Sequence, residues 1–124
     1  MLKQAGEIIF AGVNSGLNHF IRPMFYGAYH EIENISNPSG QLKNYNVVGN
    51  ICETDTFAEN RLLPEIREGD YLVFRNAGAY CFEMSSHYNS RFKPAELMIK
   101  DNKYSLIRKA DEFDDLLRNQ LIIG

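Results

Sequence analysis

The sequence predicts a mainly β fold: antiparallel strands in a partly closed barrel or sandwich, with a short helical turn early on and a C-terminal helix. Two observations carry this. Eight Phe and seven Tyr, with no Trp, recur with Ile and Val in short runs broken by Gly, Asn, Asp and Pro, which suits strands and turns. Only one stretch of more than two turns, near the C-terminus, repeats its apolar residues at helical spacing. At 124 residues there is room for one core and not two, so 1–124 reads as a single domain.

Taken in order, Glu7 to Val13 reads as the first strand. Ser15 to Arg22 places Leu17, Phe20 and Ile21 at helical spacing, with Ser15 as N-cap and Pro23 as the stop. Met24 to Ile35 alternates as a long strand, and Asn37-Pro38-Ser39-Gly40 is a turn. Tyr45 to Cys52 is a further strand, running into the polar segment Glu53 to Thr56. Leu62 to Ile66 leads through Glu68-Gly69-Asp70 into Tyr71 to Arg75, a strand of buried character. A turn at Gly78-Ala79-Tyr80 and a polar loop from Ser85 to Pro94 follow. Strands Glu96 to Lys100 and Tyr104 to Lys109 are joined by Asp101-Asn102-Lys103. Asp111 to Leu121 gathers Phe113, Leu116, Leu117 and Leu121 on one face, with an acidic first turn suited to a helix N-terminus.

A net charge of -3 and scattered Lys and Arg argue against a nucleic acid or an anionic membrane as partner. No run is apolar and long enough to span a bilayer, and the first residues lack a secretory layout, so a cytoplasmic protein with free thiols at Cys52 and Cys81 is expected.

Cys52 beside Glu53 can form a proton-donor pair, or be a core thiol before an acidic surface turn. Arg22 and Tyr26 could grip a carboxylate, or be a surface Arg and a packed Tyr. Tyr80 offers a phenol donor or merely ends a turn. His30 and Glu31, read as strand residues, face opposite sides. His19, His30 and His87 have no metal-ligand spacing, so no metal site is expected. Ser85-Ser86-His87 is no nucleophile elbow, and no Gly-rich phosphate loop occurs.

In combination, these segments resemble the C-terminal domain of the alanine-racemase-like pyridoxal-phosphate decarboxylases, the diaminopimelate branch above all. The carrying motifs are Ile21-Arg22-Pro23 through Tyr26-Gly27-Ala28-Tyr29-His30, Val47-Val48-Gly49-Asn50-Ile51-Cys52-Glu53-Thr54-Asp55, Glu68-Gly69-Asp70, Gly78-Ala79-Tyr80, and Met84 to Arg91 with Pro94-Ala95-Glu96. They keep the family's order from about Phe10 to Ile99.

The resemblance implies that Arg22 and Tyr26 hold the distal carboxylate of meso-diaminopimelate. Cys52 is implied as the acid that protonates the carbon left when carbon dioxide departs, and Glu53 as the contact to the substrate's amino end. Tyr80 would touch both substrate and cofactor phosphate. It further implies pyridoxal 5'-phosphate held by a lysine in a preceding (β/α)8 barrel, and a homodimer that shares each site between subunits. None of the six lysines here falls in that Schiff-base strand. The chain is therefore expected to be a fragment starting at Met1, inactive alone, with a sheet edge open where a parental N-terminal strand would pair.

Thr54 stands where Ser is usual, Val13-Asn14-Ser15-Gly16 where Val-Asp-Ala-Gly is usual, and Phe92-Lys93-Pro94 where Pro-Arg-Pro is usual. These departures bear on substrate preference more than on reaction class. Two rival readings are a sister decarboxylase for ornithine, arginine or carboxynorspermidine, and a non-catalytic β-barrel binding module. The first tends to carry Asp at the place of Glu53; the second has no use for the Cys52-Glu53 pair. A thiol nucleophile at Cys52 is weaker still, for want of a partner His.

Overall fold

Short β-branched and aromatic runs set the strands, as expected, and one of them is longer than its apolar pattern suggests. The computed structural model describes residues 1–52 and 54–123. In chain order these form β1 (Leu2–Ala5), β2 (Ile8–Gly12), helix α1 (Arg22–Tyr26), β3 (Ile32–Asn34), β4 (Leu42–Val48), β5 (Thr56–Pro64) and β6 (Leu72–Phe74). Then come β7 (Glu96–Lys100), β8 (Lys103–Arg108) and helix α2 (Phe113–Leu117). Two compact units divide the chain after Ser85.

In the first unit, four strands pair in the order β1-β2-β4-β5, and β3 pairs with β6 in a separate ribbon. All pairings are antiparallel except β2 with β4, which run parallel with Ile9 opposite Tyr45 and Ala11 opposite Val47. That one pair departs from the antiparallel expectation. Parallel neighbours need a long crossover, and here it carries α1 and β3. A bulge in β5 skips pairing between Tyr45–Arg61 and Val47–Ala58. Asn60 sits there with φ 47° and takes Asn46 Oδ1 as acceptor for its N–H.

Both sheets contribute to one core: Ala11, Tyr45, Val47, Phe57, Ala58 and Leu63 from the four-stranded sheet, Ile32 from the ribbon, and Phe20 and Ile66 from connections. Phe20, Phe57 and Phe74 lock the layers together, with ring centroids 4.9–6.5 Å apart. This is a mainly β sandwich. Among the described residues no sheet closes on itself.

Several boundaries move. Pro23 was expected to stop a helix and instead lies in the first turn of α1, where its missing N–H has no intrahelical partner to lose. The strand expected over Met24 to Ile35 is therefore helix up to Tyr26 and strand only at Ile32–Asn34. The strand expected to reach Cys52 ends at Val48. Strand β5 begins at Thr56, inside what reads as a polar loop, and β1 supplies the partner of β2.

The Glu68-Gly69-Asp70 turn is structural. Asn34, 2% exposed, donates through Nδ2 to Glu65 O at 3.0 Å and to Asp70 Oδ2 at 2.9 Å, and its Oδ1 accepts the Ser36 and Asn37 N–H groups. The Asn34 amide, followed by the Arg67 N–H, holds the Asp70 carboxyl below the usual range. Its folded pKa being depressed, Asp70 contributes stability that is full above the unfolded value of about 3.9 and is lost as pH falls through the lower folded value. Asp70→Asn is thus expected to lower stability in urea at about pH 7 and to cost less at about pH 3, where the linkage is partly lost. An equal deficit at both pH values would contradict this.

The second unit is the hairpin β7–β8, with Asp101 and Asn102 at φ 52° and 56° in the left-handed turn that such hairpins favour. Helix α2 is shorter than the expected Asp111 to Leu121 and starts on a reciprocal capping box between Glu112 and Asp115. Its approach is fixed by Asp111, which accepts the Lys93 N–H at 2.9 Å and meets His87 Nε2 at 2.6 Å.

Candidate active site

Helix α1 positions the first group of expected site residues. Arg22 is its first residue and Tyr26 its last, an i,i+4 pair on one face. Gly27 ends the helix at φ 61°, a left-handed cap that returns its N–H to Arg22 O. The guanidinium carbon of Arg22 lies 4.7 Å from the Tyr80 ring centroid and 5.6 Å from that of Tyr26. Three of the five expected site residues therefore meet at one place, although Tyr80 is 54 residues beyond Tyr26. Both phenols are more than half exposed, while Arg22 Nε is buried and has no hydrogen-bond partner among the described residues.

A guanidinium within cation–π reach of two phenol rings, with an Nε that has no partner among the described residues, suits a planar anion. A carboxylate can take parallel N–H donors, and the rings restrict where the fork points. The observed donor set thus fits a carboxylate-bearing ligand.

Cys52 belongs to the loop between β4 and β5 and is partly buried. Both cysteines are unbridged, as expected; Cys81 donates to His19 O at 3.1 Å. Glu53 lies outside the described residues. His30, expected on a strand, lies outside β3; its Nδ1 meets Arg75 O at 3.0 Å and its ring packs edge-on against Phe20. No group of three or more metal-ligating side chains occurs among the described residues.

Sequence reasoning gave no role to Asp55, which is 2% exposed. Its Oδ1 accepts the Leu17 N–H at 2.7 Å and its Oδ2 the Ile51 N–H at 3.0 Å. The available signal was its place three residues after Cys52 with a glycine, Gly49, six residues before it.

With this geometry in hand, comparison with known proteins is direct. Residues 1–78 match the family of the pyridoxal-dependent decarboxylase C-terminal sheet domain. The chain belongs to that family. Its relatives include diaminopimelate decarboxylases: that of Methanothermobacter thermautotrophicus is 49% identical over 113 residues, 90% of this chain and 26% of the relative. That of Aquifex aeolicus is 40% identical over 123 residues, 98% of this chain and 29% of the relative. The crystal structure of the Helicobacter pylori diaminopimelate decarboxylase complexed with L-lysine matches with a TM-score of 0.85 at 38% identity, covering 95% of this chain and 29% of that one. The chain therefore spans less than a third of these relatives. No helix among the described residues is long and apolar enough to cross a membrane.

Proposed function

We propose that this chain is the C-terminal domain of a diaminopimelate decarboxylase, which releases carbon dioxide from meso-diaminopimelate and yields L-lysine. The observation that carries the reading is the buried Arg22 Nε, without a hydrogen-bond partner among the described residues, in a guanidinium that lies within 5.6 Å of both the Tyr26 and the Tyr80 rings. A substrate with an extra carboxylate needs such a reader, because an analogue lacking it leaves the guanidinium unpaired.

Pyridoxal 5'-phosphate, when bound, supplies the electron sink that makes loss of the carboxylate possible. The residues of this chain then have three tasks. Arg22 and Tyr26 bind the distal carboxylate and fix the substrate's register. Cys52 supplies a proton to the carbon that loses carbon dioxide. Glu53 contacts the amino end, and Tyr80 lies between substrate and cofactor phosphate.

The cofactor lysine belongs to the rest of the enzyme, so the 124 residues alone neither hold the cofactor tightly nor turn over substrate. The assembly is a cytoplasmic homodimer in which Cys52 and Glu53 serve the neighbouring subunit's site.

Incubating the intact enzyme with meso-diaminopimelate in heavy water tests the reaction. Lysine bearing one deuterium at the carbon that lost its carboxylate is expected. Failure to form lysine would overturn the assignment.

A further inference from the structure

A carboxylate is costly to bury unless it is fully hydrogen-bonded. Asp55 is buried, and among the described residues no cation pairs with it. Its side chain is satisfied by two backbone N–H groups, one from its own loop at Ile51 and one from Leu17, in the segment that leads to Arg22. Its main chain adds two further ties: Asp55 N donates to Cys52 O at 3.1 Å, and Gly49 N donates to Asp55 O at 2.7 Å. One residue therefore fixes the loop at positions 49, 51 and 52 and fastens it to position 17.

The glycines confirm how closely the parts fit. A Cβ on Gly49 would overlap the carbon and both oxygens of the Asp55 carboxylate, and one on Gly16 would strike the end of the Ile51 side chain and come within 2.8 Å of Asp55 Oδ2. The carboxylate cannot swing aside without releasing both N–H groups.

We propose that Asp55 is a positioning residue for Cys52: by tying the Gly49-to-Asp55 loop to the segment before α1, it sets where the thiol stands for proton transfer. The proposal rests on the reading of Cys52 as proton donor. A surface turn could be closed by Ser or Asn; a buried charge joining two loops gives far less freedom of placement. Proton transfer tolerates little misplacement, since shifts of about 1 Å can cost about 100-fold.

The test uses the intact decarboxylase with Asp55→Asn, Gly49→Ala and, as a stability control, Val47→Ala, a fully buried residue near the end of β4. Three readouts apply: kcat and KM for meso-diaminopimelate, the peptide-resolved rate of Cys52 alkylation by iodoacetamide, and the unfolding midpoint. Asp55→Asn and Gly49→Ala are expected to lower kcat by about 10- to 100-fold with KM within about threefold, and to change the alkylation rate about tenfold. Val47→Ala should lower the midpoint yet leave kcat and alkylation at the parent values.

Asp55→Asn with parental kcat and parental alkylation overturns the proposal. So does Val47→Ala depressing both as strongly, which would mean that lost stability alone explains them. Where the parent enzyme itself fails to turn over meso-diaminopimelate, the functional reading falls, and the alkylation rates alone decide whether Asp55 places the thiol.

Discussion

Cys52→Ala in the intact enzyme is expected to lower kcat for meso-diaminopimelate by about 100- to 10,000-fold, the usual contribution of a placed general acid. Binding should change little, because the substrate's carboxylate is read elsewhere, at Arg22. The fold should also survive. Cys52 is outside the buried core and sits in a loop beyond the end of β4, and truncation to Ala removes one sulfur from a partly exposed place. Steady-state carbon dioxide release and a thermal melt check both halves. A variant that keeps kcat within about threefold while losing stability would return Cys52 to a structural thiol.

Arg22→Leu is expected to lower kcat/KM for meso-diaminopimelate by about 1,000-fold or more, the scale seen when a site built for a polar group loses its reader. Arg22→Lys should recover only part of this, since an ammonium cannot offer two parallel donors. The substitution tests recognition cleanly, because Arg22 Nε serves no acceptor among the described residues. Competition by L-lysine, the product that keeps the distal carboxylate, should weaken in parallel, whereas competition by cadaverine, which has neither carboxylate, should be nearly unchanged. Equal weakening of cadaverine and L-lysine would place Arg22 in general packing around the site.

The motif residues were legible in the sequence because each has unusual chemistry: a guanidinium next to proline, a thiol next to a carboxylate, a tyrosine after a small-residue turn. The approach of Tyr80 to Arg22 was legible only through resemblance, since nothing in local pattern brings that phenol back. The hairpin β7–β8 was also readable, its strands alternating around Asp101-Asn102. The strand expected over Met24 to Ile35 failed because Pro23 can open a helix as well as close one, and the left-handed Gly27 then cuts the run at Tyr26. Strand β5 was missed because its first residue, Thr56, closes a polar segment and its middle bulges at Asn60. The parallel β2–β4 pair depends on a crossover that no local signal encodes. Asp55 carried no legible role because burial of its carboxylate depends in part on the N–H of Leu17, 38 residues away.

On the proposed function, this domain equips a pyridoxal-dependent decarboxylase to recognise a substrate with a distal carboxylate. Carbon dioxide release by the intact enzyme, measured in parallel on meso-diaminopimelate, L-ornithine and L-arginine, tests it most directly. Release from meso-diaminopimelate alone is the predicted result. Release from ornithine or arginine at a comparable rate would contradict it, and would mean that Arg22 between Tyr26 and Tyr80 reads something other than a carboxylate.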